Sequence, residues 1–557
     1  MARRAVSTSG AAGRVYGSPQ FGGLNIKHLY AEQGLKHITN FIKYYRSNNS
    51  IGILLRISLR WIRHIAGLAV CPLRHPMKTY HHITDPWFNT TIRFLYECNA
   101  NIETNDRQFS YSRQDDSHLM DDFLLFQPTR VETLHLNQCR LFLHATTLSD
   151  ITNTAGDTIM RSCWVGDQPI QSSLLWPKQG RPSAKAWRTW RLYLTQCYLT
   201  DDDYSHIRRV DLTLQTPLGP WLQTHTQTTL RTHYLHPVTL TIYQRTPTAF
   251  NTYQPHRNTR TLLEFKHISQ TTSLPPNTYP IEPTVINDTT IQLSKTKIDK
   301  NYYNHTDHNH PIMNFADYIA ALPLWERTLL EHHTLESNIG TILGYLTNDF
   351  LIATDGSEQA QKGSFGWVLS TESGTTFTSG QGTAFGSNIS SFRCEAYGIL
   401  AALQFILRLR YFSHLPQPHN KITWYCDCQS LITRLKSNQS SIFNPNRYQL
   451  AEHDLECAII HVLPIVASST RFIHLKSHQY DNLPIQSIPL PYRLNRLADA
   501  LANKHNSTTQ QPMTHAPLIY HAACQLNIKG RTITRSIARQ LYIPYLPAYW
   551  LGYLTLV

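Results

Sequence analysis

The chain has 557 residues, 41% of them hydrophobic, and carries a formal charge of +14 with a pI near 9.2. This length favours two to four domains with room for a large core, and the basic excess favours a polyanionic partner. The ten cysteines show no CxxC spacing, which argues against structural zinc sites and against a disulfide framework.

Residues 1–75 are predicted to form a basic amphipathic helical region. The first 80 residues contain twelve lysines and arginines against one acid, Glu32. Residues 51–73 are apolar enough to suggest a membrane span, but basic side chains interrupt them at helical spacing: Arg56, Arg60, Arg63 and His64. The N-terminal residues lack the pattern of a signal peptide, so we expect an intracellular protein that does not bind a membrane. The alternative for the basic excess is a solvated face without a polyanionic ligand.

Residues 76–345 are predicted to form a largely helical and irregular connector region. Helical patches at residues 87–96 and 133–148 are separated by stretches rich in Thr, His, Gln and Pro, and no catalytic constellation emerges. Asp121 and Asp122 lie between apolar residues, a pattern that also marks the metal-binding hairpin of the palm in reverse transcriptases. A palm needs another aspartate on a preceding strand and a fingers region upstream. The preceding basic stretch offers neither, so we predict two acids on an exposed helix turn.

Residues 346–506 alternate between strand and helix patterns and are predicted to form a mixed α/β domain. Strands are predicted at residues 350–355, 364–370, 375–378, 422–427 and 471–475. Helices are predicted at residues 392–411, 431–435, 448–466 and 492–503. Short turns join the first three strands into an antiparallel meander, and the helix before the fourth strand implies a parallel crossover.

Four carboxylates on successive elements of this domain form the strongest signal in the sequence. Asp355 and Asp427 end strands, Glu395 lies in the first turn of a helix, and Asp499 lies on the closing helix. Four acids within a few ångströms of one another cannot all stay ionised unless divalent cations offset their repulsion. Oxygen ligands favour two Mg²⁺ or Mn²⁺ ions roughly 4 Å apart, an arrangement suited to phosphodiester hydrolysis. Taken singly, each acid is better explained as a turn, first-turn or solvated residue.

His478 precedes the last of these acids, on the loop after the fifth predicted strand. The unperturbed pKa of histidine, about 6.5, suits a proton shuttle or an aid to product departure near neutral pH. The sequence therefore predicts one histidine beside the four acids.

The domain resembles the type 1 ribonuclease H domain of cellular enzymes and retroelements. Five short motifs carry the resemblance: Thr354-Asp355-Gly-Ser357, Arg393-Cys-Glu395-Ala, Tyr425-Cys-Asp427-Cys-Gln-Ser, Lys476-Ser-His478 and Asn495-Arg-Leu-Ala-Asp499. The resemblance implies a five-stranded mixed sheet flanked by helices that cleaves the RNA strand of an RNA/DNA hybrid. The metal ligands that it implies are Asp355, Glu395, Asp427 and Asp499, with His478 as the loop histidine. It also places Ser357, Asn388 and Gln429 at the substrate backbone.

The sequence departs from the family pattern at three places. The segment 479–494 is longer than in cellular enzymes, which favours a retroelement branch. The segment 437–446 leaves no room for the extra basic helix with which many cellular enzymes grip the hybrid. Ser477 stands where glycine usually precedes the histidine, which implies a different loop position and lowered activity.

Residues 33–61, 137–151 and 176–190 look like the connector that follows the polymerase in some reverse-transcriptase-bearing retroelements. This resemblance implies the C-terminal part of a retroelement polyprotein truncated of its polymerase. Residues 1–75 would then be a remnant of the thumb, and residues 507–557 a linker and a truncated tail. The implied partners are an RNA/DNA hybrid and a reverse transcriptase, and the implied location is the nucleus. Residues 201–345 and 507–557 receive no role.

Two alternatives to an active ribonuclease H stay open. A catalytically lapsed, nucleic-acid-binding relic would keep the fold, but it would have no physical reason to gather four mutually repelling carboxylates. Another metal nuclease of the same fold, an integrase or a junction resolvase, is disfavoured by the histidine loop and the Asn-x-x-Ala-Asp helix.

Overall fold

The structure is a computed structural model of the chain, which divides into two compact units, Met1–Arg107 with Ile312–Val557, and Gln108–Pro311. No described helix combines the length and the apolar character that crossing a bilayer requires. The structure describes the following residues: 29–106, 111, 113–153, 155–167, 176–177, 179–199, 212–219, 233–236, 239–245, 250–259, 262–271, 279–281, 284–287, 289–294, 314–413, 420–438, 445–476, 479–480, 483–508 and 511–541.

The first segment of the larger unit contains three helices and a strand: α1 (Leu29–Arg46), α2 (Ser50–Ala66), α3 (Pro86–Glu97) and β1 (Ala100–Thr104). Helix α2 confirms the predicted helix within residues 51–73. Asn49 caps its start by accepting a hydrogen bond from the Gly52 amide, and Gly67 ends it with a φ of 67°. The helix is apolar on both sides, because Leu59 and Ile62 are buried while Leu54 and Ile57 face solvent.

The smaller unit begins with a helical part: α4 (Leu119–Leu125), α5 (Arg130–Leu143), α6 (Leu148–Ile151), α7 (Arg161–Val165) and α8 (Ala184–Tyr198). The paired aspartates lie in the first turn of helix α4, which confirms the helical interpretation over a palm hairpin. Asp122 is only half exposed, in contrast to the predicted exposed turn, and it accepts hydrogen bonds from the side chains of Ser117 and Tyr198.

The smaller unit also contains a seven-stranded antiparallel sheet that the sequence interpretation missed. Its strand order is β6-β2-β3-β4-β5-β8-β7. The strands are β2 (His233–His236), β3 (Thr241–Arg245), β4 (Phe250–Asn258), β5 (Leu262–Thr271), β6 (Tyr279–Ile281), β7 (Thr284–Asn287) and β8 (Thr290–Ser294). Its core is small and includes Leu235, Ile242, Tyr253, Phe265 and Ile291. Along these strands, single apolar residues that face the core are separated by Thr, His and Gln. The resulting alternation of apolar and polar residues is too weak to identify the strands from the sequence.

The second segment of the larger unit forms a six-stranded sheet in the order β14-β13-β10-β11-β12-β9. The strands are β9 (His333–Leu335), β10 (Phe350–Gln359), β11 (Lys362–Thr371), β12 (Thr376–Ala384), β13 (Lys421–Cys426) and β14 (Ser469–His474). Strands β10, β11, β12 and β9 pair antiparallel, while β13 and β14 continue the sheet in parallel from β10. The predicted ribonuclease H-like five-stranded mixed sheet is confirmed, with β9 as an additional edge strand.

Helices cover both faces of this sheet. They are α9 (Phe315–Ala320), α10 (Leu324–Leu330), α11 (Ile339–Leu346), α12 (Ser391–Phe412), α13 (Gln429–Asn438), α14 (His453–Val466) and α15 (Leu490–Thr508). Because side chains alternate along a strand, Ile352 of β10 joins the core under α12 and α14, while Ala353 joins the core under α15. Gly366 lets α15 approach β11, since a Cβ there would lie 2.1 Å from the carbonyl oxygen of Ala498.

A three-stranded sheet links the two segments of the larger unit. Strand β15 (Cys524–Ile528) pairs antiparallel with β1 on one side and with β16 (Arg531–Ile533) on the other. Arg46 of helix α1 also donates to the carbonyl oxygens of Cys524 and Tyr448. Residues 511–541, which the sequence interpretation placed in a linker and tail, thus contain structured elements, and residues 542–557 lie outside the described residues.

Candidate active site

The four predicted carboxylates line one cavity of about 420 Å³. Asp355 lies inside strand β10, which continues to Gln359 because it pairs with β11, so the strand does not end at the acid as predicted. Asp427 directly follows strand β13, and Asp499 lies in the middle of helix α15. Glu395 is the fifth residue of helix α12, which places it just beyond the predicted first turn. Four separate elements therefore bring the acids to one place.

Asp355 and Glu395 share one backbone donor. The Gly356 amide donates to Asp355 Oδ1 at 2.7 Å and to Glu395 Oε1 at 3.1 Å. A Cβ at position 356 would lie 2.5 Å from the Glu395 nitrogen, so only glycine allows helix α12 to come this close. The side-chain amide of Asn495 donates to the other oxygen of Asp355 at 3.0 Å. These contacts fix the orientation of both carboxylates.

Glu395 and Asp427 also lie close to a thiol. Glu395, Asp427 and Cys426 each place one potential ligand atom within 4.8 Å of the others. Burial raises the pKa of the Cys426 thiol, which therefore stays protonated and donates its hydrogen to Glu395 Oε2 at an S···O distance of 3.7 Å. The thiol acts as a hydrogen-bond donor, and the ligand atoms left for a metal are carboxylate oxygens.

The surroundings of Asp355 and Glu395 oppose the ionisation of these two acids. Burial, followed by the charges of Asp427 and Asp499, raises the pKa of Asp355 from 3.8 to about 7. Burial and the neighbouring Cys426, Asp355 and Asp427 raise the pKa of Glu395 well above its ordinary value. A divalent cation would reverse this effect, and a set of carboxylate oxygens, two of them on buried residues, fits a hard ion such as Mg²⁺ or Mn²⁺.

Asparagines on helix α15 complete the surroundings of the acids. Asn503 donates to Asp499 Oδ1 at 2.7 Å and accepts a hydrogen bond of 2.7 Å from the Ser357 hydroxyl. Asn506 donates to that hydroxyl at 3.2 Å. The sequence interpretation assigned no role to Asn503 or to the side chain of Asn495, although both lie four residues from Asp499. That spacing, which puts them on the same helix face, was the available signal.

The other predicted site residues have different surroundings. Ser357 lines the cavity, but its hydroxyl is engaged by helix α15. Asn388 and Gln429 are not among the described residues that line the cavity. The backbone carbonyl of Asn388 accepts from Arg535 at 2.6 Å, and the exposed Gln429 donates to Thr433. His478 lies outside the described residues.

Comparison with known proteins finds one matching family and several similar structures. Residues 353–453 match the model of a family described as "Reverse transcriptase-like". The RNase H1 of the halophilic archaeon Halobacterium salinarum NRC-1 is 17% identical over 29% of this chain and 99% of its own length, with a TM-score of 0.20. The protease–reverse transcriptase of prototype foamy virus is 20% identical over 29% of this chain and 21% of its own length, with a TM-score of 0.21. No curated protein matches the chain.

A structure of LC11-RNase H1 in complex with an RNA/DNA hybrid is 18% identical over 28% of this chain and 97% of its own length, with a TM-score of 0.20. The class is defined by the chain's own sheet order, which is that of a ribonuclease H-like fold. Within this domain, residues 353–453 are similar to the family described as reverse transcriptase-like.

Proposed function

We propose that the domain of residues 346–506 is a metal-dependent endonuclease that hydrolyses the RNA strand of RNA/DNA hybrids, as the ribonuclease H part of a retroelement polyprotein. The observation that carries the proposal is the convergence of four carboxylates from four elements on one cavity. The raised pKa values of Asp355 and Glu395 support it, because acids that repel one another in this way have a use once cations are bound.

The proposal gives each acid a role as a metal ligand. Asp355, Glu395, Asp427 and Asp499 would hold two Mg²⁺ ions, with Mn²⁺ as a substitute. When bound, the ions supply an activated water and stabilise the charge on the leaving oxygen. The protein's own part is to fix the ligands through Gly356, Asn495 and Asn503. In the same proposal His478 moves the proton, and the nucleus is the place of action.

Removing one ligand tests the proposal. We expect Asp427→Asn to lower Mg²⁺-dependent cleavage of a labelled RNA/DNA hybrid by at least about 100-fold, since losing even a supporting contact to a metal ligand costs about 10- to 100-fold. The matched control is Glu372→Gln, which removes an exposed acid in the turn between β11 and β12, away from the cavity. We expect the control variant to cleave like the unmutated chain.

The same assay separates the active enzyme from the lapsed relic. An unmutated chain that binds the hybrid but does not cleave it in Mg²⁺ or Mn²⁺ would support the relic. Cleavage by Asp427→Asn at the wild-type rate would contradict the assignment of the acids. Circular dichroism of both variants checks that neither substitution has unfolded the domain.

A further inference from the structure

One wall of the cavity consists of side chains that the acid site does not use. Lys476, Tyr480, Tyr492 and Arg496 all line the cavity together with the carboxylates. We call these four residues the cavity rim. Two are aromatic and two are cationic, a combination that proteins use to bind nucleotides by stacking on the base and pairing with the phosphate.

The two tyrosines form a supported pair. Tyr492 lies in the first turn of helix α15, packs against the core cluster around Leu494 and Ala498, and donates its hydroxyl to Gln479 Oε1 at 3.0 Å. Tyr480 meets the ring of Tyr492 edge to face, with ring centroids 4.5 Å apart and an interplanar angle of 65°. Tyr492 therefore supports Tyr480 at the cavity that both rings line.

The two cations are exposed and available to an anion. Among the residues that the structure describes, no carboxylate lies within 4.0 Å of the charged nitrogens of Lys476 or Arg496. Arg496 follows Tyr492 by four residues and precedes Asp499 by three. At this spacing Tyr492, Arg496 and Asp499 lie along one face of helix α15. Because these side chains and the acids line the same cavity, a strand whose phosphate reached the acids would come close to them.

We propose that the cavity rim binds an unpaired nucleotide, with its base against Tyr480 and its phosphates beside Lys476 and Arg496. This inference rests on the proposed function. A base inside a duplex is stacked on both faces, and a terminal base pair leaves only one face free, so the tyrosine ring stacks most readily on an unpaired base. The rim therefore selects hybrids that carry a single-stranded extension.

Equilibrium binding tests this selectivity without turnover. All variants are made in the Asp427→Asn background and titrated in Mg²⁺ against a fluorescent blunt RNA/DNA hybrid, and against the same hybrid with unpaired nucleotides added at the 5′ or the 3′ end of the RNA. We expect one extension to tighten binding by about 5- to 150-fold, which is the range that about 1 to 3 kcal/mol for stacking one base on an aromatic side chain implies. Tyr480→Ala should abolish this gain, and Tyr480→Phe should retain it because the ring remains.

The cations and two controls complete the test. Arg496→Ala should reduce the slope of log Kd against log salt by roughly 0.7 to 0.9, as expected when one phosphate contact is lost. Tyr411→Ala and Arg471→Ala remove an exposed tyrosine and an exposed arginine away from the cavity and should leave the gain from the extension unchanged.

Two results would overturn the inference: equal binding of blunt and extended hybrids, or a gain that survives Tyr480→Ala. The cleavage assay on the unmutated chain tests the proposed function separately from this binding assay. A chain that never cleaves, yet shows an extension gain that depends on Tyr480, would refute the nuclease and leave the nucleotide site standing.

Discussion

Replacing Asp355 with asparagine tests whether burial and the neighbouring acids oppose the ionisation of Asp355 when no cation is bound. Asp355 is buried, and its pKa in the folded protein is raised from 3.8 to about 7 by burial and by Asp427 and Asp499. Between these pH values the folded state holds a proton that the unfolded state has lost. The free energy of unfolding therefore falls as the pH rises from about 4 to about 7, and the full penalty is present above pH 7.

The size of the penalty follows from the pKa difference. Each pKa unit is worth 1.36 kcal/mol, so the penalty above pH 7 is at most about 4 kcal/mol, and it is smaller to the extent that the acids share protons. Asparagine fits the site well, because its oxygen can accept from the Gly356 amide. Its NH₂ group can meet Asn495 Oδ1, a buried atom without a hydrogen-bond partner among the described residues, after a flip of the Asn495 amide.

We expect Asp355→Asn to be more stable than the unmutated chain by about 1 to 4 kcal/mol at pH 8 in EDTA, and equally stable near pH 4. Urea unfolding measures the difference, and hydrogen exchange of the β10 and β11 amides assigns it to this sheet. Asp349→Asn is the control, since Asp349 is an exposed acid that accepts from the Lys421 amide outside the cavity. A variant that is less stable at pH 8, or equally stabilised at both pH values, would refute the argument that burial and the neighbouring acids destabilise the ionised form of Asp355.

Two further substitutions test how the fold supports the site. Arg393→Met should lower the free energy of unfolding by about 3 to 5 kcal/mol in urea, because it leaves Glu452 and Asp454 buried without their cation; a loss below about 1 kcal/mol would contradict this. Gly366→Ala should lower both stability, by about 1 to 3 kcal/mol, and hybrid cleavage, because its Cβ would push α15 and Asp499 away. Gly344→Ala, whose Cβ meets no described atom within 4 Å, should instead leave cleavage unchanged.

The acids of the site could be predicted because each is marked by local sequence. Asp355 and Asp427 follow apolar strand patterns, and Asp499 lies within a helical repeat, so their order along the chain implied their convergence. The shared amide of Gly356 could not be predicted, since it depends on the close approach of helix α12 to strand β10. The distance between a helix and a strand is set by how the two elements pack, so it cannot be predicted from the local sequence pattern.

The sequence interpretation missed two kinds of strand. Some pair with strands that are far away in the sequence, and others are short or have a weak apolar pattern. Strand β1 pairs with β15 in the register Ala100 to Ile528, and neither strand has a local feature that identifies the other. Strand β9 is only three residues long, and the seven-stranded sheet has a small apolar core. Short strands rich in polar residues gain their stability from neighbours, so their own residues predict them poorly.

The position of Glu395 depends on segments far outside residues 346–506. The loop before helix α12 is held by two backbone hydrogen bonds, from the Gly386 amide to the Met513 carbonyl and from the Ser387 amide to the Thr532 carbonyl. Arg535 donates to the carbonyl of Asn388 in the same loop. Residues 511–541 thus brace the start of the helix that carries Glu395, and β15 is in turn paired with β1. In the proposed function Glu395 is a metal ligand, and a displacement of about 1 Å can cost a site most of its activity. The physical unit of this site therefore includes the N-terminal helices and the C-terminal strands as well as the ribonuclease H-like sheet.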